Sequence, residues 1–419
     1  MQGIAQDISN ILRGFKMMVD FNKLVFAFSG IVFSIIWVLT IISLFSVLKL
    51  IAINPFVLIG SVLFSPGLGL SNLLNAFLTT MATIDGAEFV ALIFLVIGLL
   101  IIWSVFGGAI TRSAAVEFAR GEKIGFKEAL SFALKKFWSY FWSPLTPIIG
   151  VLFFTACNIL GGFFGQIEYI GAFAVAIGFP MAILSAFLII FIGVIGVIGF
   201  FLMFPTISAE GSDAFDAMSR SYSYVISRPM HFTILFLGII ISGTLFTLFI
   251  SCLACLVMKT SFCTVGFGMG QKFDAIKAVV SGGAGSEATL ASLGSLSMKF
   301  TALMLMLYIA IIKVIIGSLV FAFAGSVSTV AYFLLRKDVD GTEINDVYLE
   351  EEEKEEKEEM KDEVKENEDT KEEIKEETKV EDEKPASKKE EGPTQTDETK
   401  KQAPEDPDKK PSDGPTQSE

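Results

Sequence analysis

The sequence contains few of the side chains that proteins use to bind metals or to transfer protons. Its 419 residues include one histidine, His231, and four cysteines. Two of these, Cys252 and Cys255, form a C-x-x-C pattern inside an apolar run, where a thiol has little access to thiolate chemistry. This scarcity excludes a metal centre built on several imidazoles, and we interpret the cysteines as small apolar side chains. His231 is expected to be a polar residue at the membrane surface.

Charged residues are also nearly absent from six long apolar runs. The runs cover about 24–51, 88–110, 145–165, 178–204, 232–258 and 301–335. About 20 apolar residues cross the hydrocarbon core of a bilayer as a helix, and the backbone in lipid must satisfy its own hydrogen bonds. The sequence therefore predicts an all-α, polytopic membrane protein with six transmembrane helices. Because the spans offer no acid, base or activated nucleophile, we expect neither an enzyme nor a cofactor.

The negative charge is concentrated at the C-terminal end. The whole chain carries a net charge of −13, and residues 350–419 hold 29 acidic and 14 basic residues with almost no apolar ones. Such a segment cannot bury enough apolar surface to fold. Residues 338–419 are therefore predicted to form an acidic cytoplasmic tail, helical in part over 350–380 and disordered beyond. The tail is either a soluble spacer or a binding segment for a basic cytoplasmic protein. Its acidity argues against nucleic-acid binding.

Basic residues occur in alternate connections between the apolar runs. The richest connection, 111–144, contains Arg112, Arg120, Lys123, Lys127, Lys135 and Lys136. The positive-inside rule then places this connection, 205–231 and both termini in the cytoplasm. The connection 259–300 is expected outside.

Lys313 is the one charge well inside a run; it either snorkels to the outer interface or has an intramembrane function. Residues 300–312 would form an extension of the last helix that packs on the outer loops.

Amphipathic patterns in the inner connections predict helices lying on the cytoplasmic membrane surface. Apolar residues recur with helical spacing at Phe126, Leu130, Ala133, Leu134 and Phe137, and again at Ala214, Met218, Ser221, Tyr222 and Val225. A similar pattern in residues 1–23 predicts an N-terminal interfacial helix that contacts membrane lipids. The predicted membrane domain is 24–337, with an internal repeat of helix, surface helix and helix at 88–165 and 178–258.

Glycines in the third and fourth runs predict close helix packing, because small residues let helix backbones approach each other in lipid. The positions are Gly161, Gly162 and Gly165 in the third run, and Gly193, Gly196 and Gly199 in the fourth. A pore lined by the glycines of the fourth run is the alternative.

The connection after the fourth run carries a motif of proline, glutamate and then Ala-x-x-Arg-Ser. Its positions are Pro205, Glu210, Ala217, Arg220, Ser221 and Tyr224. Over residues 90–260 this resembles the membrane domain found beside some bacterial glycerophosphodiester phosphodiesterases and in stand-alone uncharacterised proteins. Residues 332–348 are similar to the endings of uncharacterised planctomycete membrane proteins. The resemblance implies no reaction, because the chain has no room for a soluble phosphodiesterase barrel of about 250 residues.

We interpret this motif as a structural joint. Pro205 is expected to end the fourth span, and Ser212 or Asp213 to cap the following surface helix. An ion pair between Glu210 and Arg220 would lock that helix to the span, and Ser221 completes the candidate site. Arg220 binding a lipid headgroup is the alternative.

The predicted function is that of a non-enzymatic membrane protein. It would organise the membrane or protein partners through its interfacial helices and acidic tail. A transporter or channel for a small solute or lipid is the alternative.

Overall fold

The computed structural model describes residues 14, 16–50, 86–281 and 293–349, which form helices and no strand. The helices are α1 (Phe21–Val47), α2 (Gly86–Arg120), α3 (Phe126–Lys135), α4 (Phe137–Trp142), α5 (Leu145–Phe164), α6 (Gly171–Glu210), α7 (Ala214–Ser227), α8 (Pro229–Met269), α9 (Gln271–Ser281) and α10 (Leu296–Asp340). Six of them, α1, α2, α5, α6, α8 and α10, are long and apolar enough to span a membrane, which confirms the predicted class. The tail after residue 349 and most of the predicted helix over 1–23 lie outside the described residues.

Several spanning helices continue beyond the ends of their apolar runs. Backbone hydrogen bonds extend a helix into polar sequence until a residue leaves the helical conformation, and glycine does so at low cost. Gly121, Gly211 and Gly341 follow α2, α6 and α10 directly, with φ of 75°, 63° and 71°. The prediction that Pro205 ends the fourth span is therefore wrong. Pro205 is buried inside α6, which continues to Glu210.

The core lies between α1, α2, α6 and α10. Helix α1 packs along α2 and α10, and α2 also contacts α6. The shared core includes Phe26, Ile110, Leu202, Val327 and Val330. Helix α5 forms a hairpin with α6, and α8 packs on α10. Both α5 and α8 leave most of their apolar surface exposed, as expected for helices that face lipid hydrocarbon.

The surface helices form, but their buried faces differ from the predicted stripes. The pattern over 126–137 divides into α3 and α4, which meet at Lys136. Ala129, Phe132 and Ala133 are buried in α3, whereas Phe126 and Leu134 are exposed. The alanines face inward because small side chains let α3 approach α2 closely. In α7 the buried face is likewise shifted, to Ala217, Ser221, Tyr224 and Val225.

The described parts of the connection 259–300, which are residues 259–281 and 293–300, are mostly helical. Helix α8 continues to Met269, and α9 follows almost directly. Ile276 and Val280 of α9 form a small core with Ala302 and Met306 of α10. The expected extension of the last helix therefore packs on the connection before it.

The predicted glycine packing is confirmed in part. A Cβ atom at Gly196 would lie 2.8 Å from the ring of Pro147 and 3.0 Å from the hydroxyl of Tyr222. Gly199 faces Ser221 of α7, with 3.5 Å between an added Cβ and that side chain. A Cβ atom added at Gly161 or Gly162 would meet no atom of another helix within 4 Å. Close packing is therefore not the role of these two glycines in the described part of the chain.

This contrast gives a matched test of packing. Gly196→Leu should lower the free energy of unfolding by about 1–3 kcal/mol, because Pro147 is rigid and the added side chain overpacks the contact. Gly161→Leu, which makes the same change in open space, should leave it nearly unchanged. Thermal unfolding of both variants in detergent measures the difference, and equal losses would contradict the packing described here.

Candidate functional site

A cluster of charged and phenolic side chains joins the ends of α6, α7 and α10; we call it the Glu210 network. Glu210 is the last residue of α6, and its side chain is only 10% exposed. Nη1 of Arg220 lies 2.7 Å from Oε2 of Glu210, and the Tyr332 hydroxyl donates a hydrogen bond to Oε1. Nε of Arg336 lies 3.2 Å from the same Oε1, in an ion pair too poorly aligned for a hydrogen bond. One carboxylate thus holds a phenol and two guanidinium groups.

Arg220 connects the network to its own surface helix. Its Nε lies 3.0 and 3.1 Å from the two carboxylate oxygens of Asp216, one turn earlier in α7. Asp213 caps the same helix by accepting a hydrogen bond of 2.8 Å from the Asp216 N–H. Partial burial opposes the charge of Arg220, but Glu210 and Asp216 outweigh it and raise the pKa of the guanidinium above its ordinary value.

Sequence reasoning missed two members of the network, Tyr332 and Arg336, because they lie in α10, far along the chain from the motif that contains Glu210. The Arg336 side chain is 9% exposed. It also contacts Asp346, with Nη1 2.7 Å from the backbone carbonyl and Nη2 3.0 Å from Oδ2. The available signal was local: Tyr332 and Arg336 are four residues apart, which places them on one helix face.

A second set of contacts joins the end of α7 and the start of α8 to the end of α10. Nδ1 of His231 lies 3.0 Å from Oδ2 of Asp338, and Nε of Arg228 lies 3.4 Å from the same atom. Tyr224 donates a hydrogen bond to Asp340. Burial, followed by the Asp340 carboxylate, raises the pKa of this phenol well above its ordinary value. Each of these groups therefore fixes one helix end to another.

Pro205 and Ser221, the other two predicted site residues, do not join the Glu210 network. The Ser221 hydroxyl donates to the Ala217 carbonyl at 2.7 Å, within α7. Its side chain packs on Gly199 of α6. Pro205 instead lines an apolar cavity of about 390 Å³ between α2, α6 and α10. The motif thus combines a charge contact with two packing positions.

Buried polar contacts also hold α2 to α6. Thr111 and Ser208 share a hydrogen bond of 2.6 Å between their hydroxyl oxygens. Arg112, which is buried, donates to the Ser208 carbonyl at 2.8 Å, and its guanidinium lies 4.1 Å from the centre of the Phe132 ring. The hydroxyl of Tyr140 in α4 lies 2.8 Å from that of Ser208. Ser208 is therefore a junction of three elements.

The start of α1 is fixed to α2 by a buried ion pair. The Lys23 side chain is 0% exposed, and its ammonium lies 2.5 Å from the carboxylate of Glu117. The same ammonium donates to the Met17 carbonyl at 3.0 Å. A neighbouring pair, Lys123 and Asp20, is 3.0 Å apart, with Lys123 largely exposed.

Residues 341–349, which follow α10, pack on the helical bundle. The Tyr348 N–H donates to the Ala209 carbonyl at 2.8 Å, and Val347 is buried. Lys136 donates to the Gly211 carbonyl, and its ammonium lies 5.7 Å from the centre of the Tyr348 ring. The first residues of the segment predicted as the acidic tail, 338–349, are therefore in contact with the bundle.

Both oxygens of the Glu210 carboxylate, and the side chains around it, are occupied by contacts within the protein. Glu210 is held on both oxygens, and its partners contact further carboxylates. The described residues include no group of three or more histidine, cysteine, aspartate or glutamate side chains that could hold a metal ion. Comparison with protein-family models, curated proteins and solved structures finds no match to this chain.

Proposed function

We propose that this chain is a non-enzymatic membrane scaffold. In this proposal a rigid helical bundle presents surface helices, and the acidic segment after residue 349, to protein partners at one membrane face. The supporting observation is the Glu210 network, in which one buried carboxylate binds side chains from both α7 and α10. Lys23–Glu117 and the Ser208 contacts add α1 and α2 to the same connected body.

Separating these helix ends would be costly. Removing one partner from a buried pair leaves an uncompensated charge, which costs about 3–5 kcal/mol. A transporter that alternates between two open states moves one group of helices against another. The contacts described above would oppose a movement of one group of helices against another at this end of the bundle. They join the ends of α1, α2, α6, α7 and α10.

Spin-label distances distinguish a scaffold from a moving transporter. Labels would be placed at Lys127 in α3 and Ser219 in α7, which are both exposed, after replacement of the four native cysteines. A scaffold should give one narrow distance distribution in detergent and in lipid vesicles. A second population in the otherwise unchanged protein would contradict the proposal. Arg220→Ala, which removes the ion pair between α7 and Glu210, should broaden the distribution and provides the positive control.

A transporter or channel is the second candidate, and the apolar cavity between α2, α6 and α10 is the observation that favours it. Its apolar lining suits a lipid better than an ion or sugar. The transporter proposal requires flux of fluorescent lipid between the leaflets of reconstituted vesicles, together with the second distance population. The scaffold proposal predicts neither result.

We also propose that the protein lies in a bacterial inner membrane with both termini in the cytoplasm. The N-terminal end of α1, the basic connection after α2 and the segment 341–349 all meet at the same end of the bundle. This arrangement supports an even number of spans with the basic connections inside. The proposed partners are membrane lipids and, for the acidic tail, a basic cytoplasmic protein. Kinship with the membrane domain beside glycerophosphodiester phosphodiesterases is part of the proposal, without its hydrolytic activity.

Cysteine labelling tests the orientation. In a background without the native cysteines, a membrane-impermeant maleimide added outside should label Tyr169→Cys, because that residue between α5 and α6 is 97% exposed. It should not label Lys127→Cys or Phe215→Cys until the membrane is permeabilised. The reverse pattern would mean that the surface helices face outward.

A further inference from the structure

The lining of the cavity between α2, α6 and α10 is buried at one end, which we call the closed end, and exposed at the other, which we call the open end. Thr111, Pro205 and Ser328 line the closed end and are buried. Val96, Phe200 and Phe321 line the open end, and each has an exposed side chain. All six residues belong to helices that can span a membrane, so the opening leads to the surface expected to contact lipid.

The hydroxyl groups at the closed end of the cavity already donate hydrogen bonds within the protein. The Thr111 hydroxyl contacts Ser208 and the carbonyls of Gly107 and Gly108. The Ser328 hydroxyl donates to the Gly325 carbonyl at 3.1 Å. Because both hydroxyl protons are used, a polar molecule would replace few of its hydrogen bonds to water, which is unfavourable. An apolar molecule meets no such cost.

Small residues and a stacked aromatic pair keep the cavity open. Gly107, Ala324 and Gly325 contribute little side-chain volume to the lining. Trp103 and Phe321 stack with 4.2 Å between their ring centres and form one wall. A Cβ atom at Gly325 would lie 2.6 Å from Ile110, so the backbones are already as close as glycine permits.

We propose that this cavity binds one acyl chain of a membrane phospholipid. Between Val96 and Thr111 the lining follows α2 for about 22 Å, at 1.5 Å per residue. One leaflet of the hydrocarbon core is about 15 Å thick, half of the usual ~30 Å. The cavity is therefore long enough for the hydrocarbon of one chain and apolar along its length. This proposal depends on membrane insertion and not on whether the protein is a scaffold.

A phospholipid carrying a diazirine near the end of one acyl chain tests the proposal in vesicles containing the full-length protein. After photolysis, peptide mass spectrometry should give more label on Leu99–Trp103 than on Leu152 and Phe153, which are exposed on α5. Ala324→Phe fills the cavity and should lower this ratio about tenfold, corresponding to ~1.4 kcal/mol of binding free energy. Val96→Trp narrows the mouth at an exposed position and should lower it as well. Ala186→Phe, an exposed control on α6 outside the lining, should leave the ratio unchanged.

Circular dichroism and gel filtration would establish that the variants are folded. If Ala324→Phe does not fold, Val96→Trp tests the proposal in its place. An unchanged ratio in either folded variant overturns the proposal. So does wild-type labelling of the cavity wall no stronger than that of α5. Labelling by a free diazirine fatty acid but not by the phospholipid would also overturn it.

Discussion

Arg336→Ala is expected to lower the free energy of unfolding by about 3–5 kcal/mol, the usual cost of removing one partner from a buried ion pair. Arg336 is 9% exposed and contacts both Glu210 and Asp346. Its loss would leave Glu210 with the more exposed Arg220 and would remove the contacts between Asp346 and α10. Unfolding in mixed detergent micelles measures the loss.

Lys337→Ala is the matched control, because Lys337 is the next residue and is exposed. It should cost about 0–0.5 kcal/mol, as surface substitutions usually do.

Arg220→Ala should have an intermediate effect, since its side chain is 40% exposed and Glu210 would keep Arg336. Adding Glu210→Gln to Arg220→Ala should deepen the loss, because Arg336 then loses the Glu210 carboxylate and keeps only that of the more exposed Asp346. Equal stabilities of Arg336→Ala and Lys337→Ala would show that the network does not stabilise the fold.

Lys23→Met is the second substitution with a large expected effect. It should destabilise the protein by about 3 kcal/mol or more, because the Glu117 carboxylate would remain only 15% exposed without its ammonium partner. The double variant Lys23→Met/Glu117→Gln should recover most of that loss, since a buried ion pair can often be replaced by uncharged groups of similar volume. A double-mutant cycle, followed by unfolding in mixed micelles, gives the coupling energy.

The nearby pair of Lys123 and Asp20 provides the control for this cycle. The ammonium of Lys123 is largely exposed, so Lys123→Ala should cost at most about 1 kcal/mol. Purely additive effects of Lys23→Met and Glu117→Gln would mean that the buried contact contributes no coupling. In that case the two residues would act only through their individual packing.

The spanning helices and one half of the candidate site were predictable from the sequence, because both depend on short-range patterns. Continuous apolar runs are sufficient to identify a spanning helix. Glu210 and Arg220 are separated by ten residues, a glycine and a helix cap, so their contact follows from local geometry. Arg336 lies 126 residues after Glu210. Nothing in the local pattern fixes the rotation of α10 that brings Tyr332 and Arg336 to Glu210.

The incorrect predictions have a common physical cause, which is that packing decides between local alternatives. Proline weakens a helix locally, but α6 continues through Pro205 and ends at Gly211, where a left-handed residue is tolerated. In α3 the amphipathic pattern allowed several faces to be buried. The close packing of α3 on α2 favours the burial of the small side chains of Ala129 and Ala133, and Phe126 and Leu134 remain exposed.

The length of α10 makes it a continuous rod between the two sides of the membrane. Its 45 residues extend for about 68 Å at 1.5 Å per residue. Even at a tilt of about 40° only about 26 of them fit within ~30 Å of hydrocarbon. The remainder projects beyond the hydrocarbon, and Ala302 and Met306 near one end pack on α9. A rotation of α10 at the end that packs on α9 would be transmitted to Tyr332 and Arg336, because the backbone hydrogen bonds of the helix continue between the two points and no loop interrupts them.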